Sequence, residues 1–332
     1  MNGLGRVVMF KLCLDSSVMQ GLKLVEETIS ESIRSDEPAL WEMARYATGS
    51  GGKRFRPLLM VLSYKSVGGT SLNELAPLAA SWELIHTATL VHDDINDDSI
   101  FRRRKTSLFK RFGIVNAVVT GDYLFTKGFK LGGMYGKELV TITADACSKM
   151  AEGEILQMKN LHKACVSEKT YLEQISLKTA APMAAICKQG AMLGGGRCDE
   201  VEGLERFGFN LGMAYQIVDD ILDVVGDESV LGKPVGVDIC RGVVTLPHIA
   251  ALRQADPVDR EKLLHILEKN FVTPDQVEKA IEIIKSTNAI EYALGKARKY
   301  KDMAKMCLSP SLDKKYRDML LQLADSVVKR SY

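Results

Sequence analysis

No stretch of this 332-residue chain comes near the roughly 20 uninterrupted apolar residues that a membrane-spanning helix requires. A transmembrane protein is therefore not expected. Net charge is almost lacking too: 44 Lys and Arg stand against 42 Asp and Glu, leaving +2, and no basic field of the kind that nucleic acid demands. The seven cysteines, Cys13, Cys147, Cys165, Cys187, Cys198, Cys240 and Cys307, are odd in number and never spaced Cys-x-x-Cys. That pattern argues against a zinc site and for the reduced thiols of a cytoplasmic protein. Residues Gly5 to Leu14 carry Arg6 and Lys11 but no continuous apolar core and no small-residue cleavage site, which argues against a signal peptide. Proline is scarce, with nine in all and none between Pro77 and Pro182, so a long central stretch is free to be helical.

What is present fits that freedom. Apolar residues recur at helical spacing in Val18, Leu22, Leu24, Val25 and Ile29, in Leu58, Leu59, Val61 and Leu62, and in Val277, Ile281, Ile283 and Ile284. No segment has a convincing strand period, so the expected fold class is all-α. Helix borders are expected at Gly132-Gly133, at Gly194-Gly195-Gly196, over Asp227 to Pro234, and at Pro257 and Pro274. The lysines from Lys296 to Lys305 and the Lys314-Lys315 pair read as solvated helix faces. With 46% hydrophobic and 26% charged residues, the composition is that of an ordinary globular protein, and residues 1–332 are expected to form one domain.

Two acidic motifs dominate the chemistry: Asp93-Asp94-Ile95-Asn96-Asp97 and Asp219-Asp220-Ile221-Leu222-Asp223. In each, carboxylates fall at i, i+1 and i+4, so on a helix the first and third stack one turn apart on one face. Each motif follows a largely apolar run, and carboxylates ending a buried stripe are costly without a cationic partner. Hard oxygen ligands in this number suit Mg²⁺, which binds a few carboxylates and completes its shell with water and substrate phosphate. One such motif could be an ordinary acidic helix end; two with the same spacing point to chemistry on diphosphates.

Cations flank the first motif. Gly51-Gly52-Lys53-Arg54-Phe55-Arg56-Pro57 precedes it and Arg102, Arg103 and Arg104 follow it. Arginine binds phosphate oxygens through a rigid fork, and glycines let backbone N–H groups approach an anion. Weaker signals are Gly121-Asp122-Tyr123-Leu124, Gly153-Glu154-Ile155-Leu156-Gln157, Lys178-Thr179-Ala180 and Gly232-Lys233-Pro234. His86, seven residues before Asp93, lies on nearly the same helical face. It is either a hydrogen-bonded core histidine or a diphosphate contact.

In order and spacing, this set resembles the all-trans polyprenyl diphosphate synthases. The motif-bearing core covers about residues 41–250, its motifs falling between Trp41 and Pro247. The resemblance implies a single large helical bundle of the isoprenoid synthase type with a central cavity, a homodimer, and Mg²⁺, three ions per active site with substrate bound. It implies that Asp93, Asp94 and Asp97, with Asp219, Asp220 and Asp223, form the acidic centre, with Asp93, Asp97, Asp219 and Asp223 as metal ligands. Arg102 would grip the allylic diphosphate, while Lys53, Arg56, His86 and Arg103 would hold isopentenyl diphosphate. Lys178, Thr179, Gln216 and Lys233 would line the allylic site, the lysines on phosphate and the Thr179 and Gln216 oxygens near a developing carbocation. Two positions depart from the family pattern: Val243 stands where a lysine is usual in Gly242-Val243-Val244-Thr245-Leu246-Pro247, and Arg104 stands for a glycine. The missing lysine keeps a low-activity regulatory subunit in view. A class I terpene cyclase is the other alternative, although its second motif differs and Lys53, Arg56 and Arg103 would be superfluous in it.

The helix before Asp93 also offers a ruler, because one isoprene unit is about as long as one helical turn of roughly 5.4 Å. Thr89, Ala88, Ile85 and Trp82 stand at successive depths below Asp93. Ala88 and Thr89 are small, so a prenyl tail could pass them, and Trp82 lies about 16 Å below Asp93 at 1.5 Å per residue. Trp82 as the floor predicts a product of C20 or longer, with roughly C25 to C35 favoured. The alternative is that Trp82 packs between helices and another wall sets length.

Overall fold

Helix α1 spans Ser16–Ser32, α2 Pro38–Thr48, α3 Phe55–Ser66 and α4 Leu72–Asn96 in this computed structural model, which describes residues 14–49, 52, 54–103, 105–226 and 235–329. A two-residue hairpin follows, β1 (Phe101–Arg102) pairing antiparallel with β2 (Lys105–Thr106). Then come α5 (Leu108–Phe112), α6 (Ile114–Gly132), α7 (Lys137–Lys159), α8 (Glu168–Ile175), a π-helical turn Ser176–Ala180, α9 (Ala181–Leu193) and α10 (Cys198–Val225). The chain continues through α11 (Val237–Cys240), α12 (Leu246–Gln254), α13 (Pro257–Leu267), α14 (Pro274–Ser286), α15 (Ala289–Met306) and α16 (Lys314–Val328). The all-α expectation holds, and the hairpin is the only strand pairing among the described residues. Lys53, Arg104, Lys233 and the expected border over Asp227 to Pro234 lie outside the described residues.

Local chemistry explains where helices start and stop. Asp15 accepts the Val18 N–H at 2.7 Å and opens α1, and Thr273 and Gln276 form a reciprocal capping box that opens α14. Pro38, Pro257 and Pro274 occupy first turns, where their missing N–H costs nothing. Helices α6 and α9 end at the glycine clusters foreseen from sequence.

The chain divides into two compact units. The first holds Met1–Ala144, Ala185–Glu205 and Leu308–Leu323, and the second Asp145–Ala184, Arg206–Cys307 and Ala324–Tyr332. In the first, α4 is the central helix, and α1, α3 and α6 pack on it. Its approach to α6 needs glycine: a Cβ on Gly128 would lie 2.8 Å from Ile85 Cγ1 and 2.9 Å from the Ser81 carbonyl oxygen. In the second unit, Ile217, Val218, Ile221 and Leu222 of α10 pack with Tyr171, Ile175, Leu246, Ile249 and Leu294. The apolar residues between Asp219 and Asp223 are thus the anchor that fixes the second motif's rotation.

His248 adds a pH-sensitive element to that second unit. It is fully buried, and its Nδ1 accepts the Thr245 N–H at 3.0 Å, so the ring proton sits on Nε2. Burial pushes the imidazole down to about 4 from an ordinary 6.5. The unfolded chain therefore takes up this proton as pH falls through 6.5, while the folded chain resists until about 4. The stability His248 lends is complete above pH 6.5 and declines between 6.5 and about 4, by roughly 3 kcal/mol in all. Urea melts at pH 7 and pH 4.5 are expected to show this loss, and His248→Gln is expected to flatten it.

Candidate active site

Each acidic motif splits its carboxylates by direction. The Asp97 N–H donates to the Asp93 carbonyl at 2.8 Å, which places the two residues one turn apart at the C-terminal end of α4. Both are half-exposed. Asp94 is rotated by about 100° from Asp93 and is buried, where it accepts Arg102 Nε at 2.7 Å and also pairs with the Arg102 Nη2. On α10, Asp219 is half-buried, whereas Asp220 and Asp223 are buried. Asp223 accepts the Asp238 N–H at 2.9 Å and so holds the first turn of α11. Asp220 accepts the Tyr171 hydroxyl at 2.6 Å and Gln216 Nε2 at 2.8 Å.

The electrostatics of the second motif call for a cation. Burial raises the Asp220 carboxyl, the bonds from Tyr171 and Gln216 oppose the rise, and repulsion from Asp219 and Asp223 adds to it; the net value is about 7. Among the described residues, no group of three or more His, Cys, Asp or Glu side chains forms a ready cage for a metal ion. Mg²⁺ does not require one, since it binds through one or two carboxylates plus water and substrate phosphate. Asp93 and Asp97 on α4, and separately Asp219 on α10, are each accessible enough for that mode.

The cations near the first motif form an arginine nest around one imidazole. His86 is pushed well below its usual range by burial and then by Arg56, Arg103, Arg102 and Arg54, so it is neutral at physiological pH. Arg103 has a left-handed backbone, φ 50°, at the turn between β1 and β2. Its guanidinium lies over Gly52, where a Cβ would come within 2.7 Å of Nη1. Burial and the nearby arginines lower its basicity against the pull of Glu83. Crowded, desolvated guanidinium groups of this kind gain from an anion among them.

Arg54, one of the cations of the glycine-basic turn, has a structural task. Its Nη1 donates to Glu83 at 2.8 Å, Nη2 donates to Glu26 at 3.1 Å and to the Thr48 carbonyl at 3.2 Å, and Nε pairs with Glu26. Its own backbone is left-handed, φ 47°. Burial disfavours its charge, but Glu83 and Glu26 outweigh this and raise the guanidinium pKa further. Glu83, buried on α4, was not foreseen, because one glutamate inside a long helix carries no sequence signal of burial. Glu83→Gln keeps an acceptor but removes the charge, and is expected to destabilise the protein by about 2 kcal/mol, read by urea unfolding.

In the second unit, the π-helical turn displays Lys178 and Thr179. Lys178 pairs with Glu154 and donates to Gln157 at 3.2 Å, while Gly153 lets the Lys178 backbone approach α7. The weak Gly153 to Gln157 signal is thus the lysine's cradle. Thr179 Oγ1 donates to Gln216 Oε1 at 2.8 Å. Val243 is half-exposed, and its N–H donates to the Asp238 carbonyl at 2.9 Å. The ruler residues Trp82, Ile85 and Ala88 are buried on α4, and Thr89 is half-buried. Trp82 is 1% exposed, and its Nε1 donates to Gln189 Oε1 at 2.5 Å.

This arrangement of helices recurs in known proteins. Residues 37–284 match the family described as Polyprenyl synthetase. The chain is 40% identical over 316 residues to a short chain isoprenyl diphosphate synthase of Methanothermobacter thermautotrophicus, covering 93% of this chain and 96% of that protein. It is 32% identical over 312 residues to the octaprenyl diphosphate synthase of Escherichia coli, covering 94% and 96%. Its backbone is similar to the crystal structure of a polyprenyl synthase from Caulobacter crescentus complexed with calcium and isoprenyl diphosphate, with TM-score 0.91, 33% identity and coverage of 99% and 98%. The fold is therefore that of the isoprenoid synthases. The chain belongs to the polyprenyl synthetase family and is a prenyltransferase.

Proposed function

We propose that residues 1–332 condense isopentenyl diphosphate with an allylic diphosphate in a Mg²⁺-dependent reaction. The product is an all-trans polyprenyl diphosphate of C20 or longer, with roughly C25 to C35 favoured by the ruler on α4. The observation that carries this reading is that Asp93 and Asp97, one turn apart and half-exposed at the end of α4, share a unit with an arginine nest around neutral His86. Asp93, Asp97 and Asp219 are the ligands suited to Mg²⁺, three ions per site, and Asp223 adds charge while its carboxylate holds α11. Bound Mg²⁺ supplies positive charge where the departing diphosphate gains negative charge.

The remaining work falls to side chains. Arg102, anchored by Asp94, turns its remaining N–H groups to the allylic diphosphate. Arg56, His86 and Arg103, with Lys53, hold isopentenyl diphosphate, and neutral His86 contributes a hydrogen bond without more charge. Lys178, released from Glu154 and Gln157, and Lys233 serve phosphate oxygens. The Thr179 and Gln216 oxygens face the carbocation that forms on ionisation, and the isopentenyl double bond attacks it. The departing diphosphate removes the last proton, so no side chain need act as a tuned base.

Incubation with Mg²⁺, labelled isopentenyl diphosphate and a farnesyl or geranylgeranyl primer is expected to yield elongated diphosphates. Hydrocarbon or alcohol would indicate a cyclase instead, and no turnover would leave the regulatory-subunit reading raised by Val243. We assign the chain to the cytoplasm; no helix among the described residues is long and apolar enough to cross a membrane.

A homodimer is supported by α6, whose Ile114, Val115, Val118 and Val119 are 58%, 75%, 41% and 51% exposed. Such a contiguous apolar face is unusual on an isolated globular surface. Val115→Glu combined with Val119→Glu is expected to halve the mass measured by light scattering; an unchanged mass would place the dimer contact elsewhere.

A further inference from the structure

Tyr171 of α8 has no counterpart among the motifs, yet it ends a continuous chain of hydrogen bonds, buried at Tyr171 and Asp220 and half-buried at Gln216, that reaches the residues proposed for the allylic site. Its hydroxyl donates to Asp220 Oδ2 at 2.6 Å, Asp220 Oδ1 accepts Gln216 Nε2 at 2.8 Å, and Gln216 Oε1 accepts the Thr179 hydroxyl at 2.8 Å. The Tyr171 ring is 1% exposed, and the Asp220 and Thr179 side chains are buried.

A glutamine amide has two orientations with opposite dipoles. In one, the carbonyl oxygen faces Thr179 and whatever stands beside it; in the other, the NH₂ does. Asp220 in its ionised form decides between them, because its carboxylate oxygen accepts the NH₂, as it does here, and repels the carbonyl. Asp220 can do so only if its carboxyl plane is fixed, and each of its oxygens has one partner that fixes it: Tyr171 on one side, Gln216 on the other. Gln216 and Asp220 are four residues apart on α10 and share a face, so this geometry is built into the helix. The Tyr171 hydroxyl is the remote end of the device.

We propose that Tyr171 is a positioning residue: through Asp220 it locks the Gln216 amide with its carbonyl oxygen toward Thr179, so that the allylic site presents oxygen, not NH₂, to developing positive charge. This rests on the prenyl-transfer reading above. It extends that reading by naming a residue that touches neither substrate nor metal and sets the polarity of one that faces the cation.

Tyr171→Phe keeps the packed ring and removes only the hydroxyl. It is expected to lower kcat by about tenfold or more, the worth of one charge-assisted hydrogen bond, with the KM of both substrates within about twofold of the native value. Two further readouts separate positioning from general loosening. In a Gln216→Ala background, Tyr171→Phe is expected to have no additional effect, because the group it orients is gone. With an allylic primer carrying an electron-withdrawing fluorine, the rate ratio of fluorinated to plain primer is expected to fall further in Tyr171→Phe than in the native enzyme, since a less stabilised cation feels the substituent more. Native-like kcat in Tyr171→Phe, additive effects with Gln216→Ala, or an unchanged fluorine ratio would each overturn the proposal. The native chain is assayed first: if it elongates no primer, the prenyl-transfer reading fails, and the inference fails with it for that separate reason.

Discussion

Replacing Asp93 or Asp219 by alanine is expected to lower turnover by roughly three orders of magnitude, because in the proposed reaction each change removes a carboxylate suited to Mg²⁺ where negative charge develops. Both side chains are half-exposed and stand on helices whose neighbouring residues are locked in the core, so neither variant should disturb the fold. Circular dichroism and melting temperature are therefore expected to match the native protein while product formation collapses. Raising Mg²⁺ should recover part of the activity of either variant, since the remaining ligands bind the ion more weakly and not in a different place. Asp94→Asn is the informative contrast. Asp94 is buried against Arg102 and is not turned outward with Asp93, so its loss should act through Arg102 and raise the KM for the allylic substrate more than it lowers kcat. Near-native rates in Asp93→Ala and Asp219→Ala would remove the acidic motifs from the chemistry altogether.

The contrast between Asp93 and Asp94 shows what could be read in advance. A spacing of i, i+1 and i+4 already states that the middle acid leaves the face shared by the outer two. That this other face is the buried one, for Asp94 and Asp220 alike, came only with the structure. Spacing could not tell that Asp223 would be buried while Asp97 remains half-exposed. That difference arises because α4 stops at Asn96, leaving Asp97 as its C-cap, whereas α10 runs on to Val225 with α11 folded back on it. The helix borders at Gly132-Gly133, Pro257 and Pro274 were legible because glycine and proline act within a turn or two of themselves. The hairpin of Phe101–Arg102 and Lys105–Thr106 was not, being too short to show a period. Glu83 and Tyr171 were missed for a further reason. Their partners, Arg54 and Asp220, lie 29 and 49 residues away, and nothing local marks a polar residue whose satisfaction is that distant.

Trp82→Ala is expected to do two things at once, and the structure explains why they must be measured separately. Trp82 is a strut as well as a candidate floor: its Nε1–H bonds Gln189, whose amide in turn donates to the Leu139 carbonyl at 2.6 Å and to Thr143 Oγ1 at 2.8 Å. Removing the indole opens a cavity beneath α4 and leaves the buried Gln189 oxygen without that donor, so a loss of about 3–5 kcal/mol is expected. Thermal unfolding reads that part. If the indole also stops the prenyl tail, chromatography of products made by the folded fraction will show a longer distribution, because Ala88 above it is a small side chain and α4 is unbroken from Leu72 to Asn96. Trp82→Phe separates the roles. It keeps an aromatic wall at the same depth but has no N–H for Gln189, so product length should stay near native while stability falls. A lengthened product in Trp82→Ala alone assigns the floor to the ring. An unchanged product in both variants, with stability lost in both, would defeat the ruler and leave Trp82 as a strut between helices.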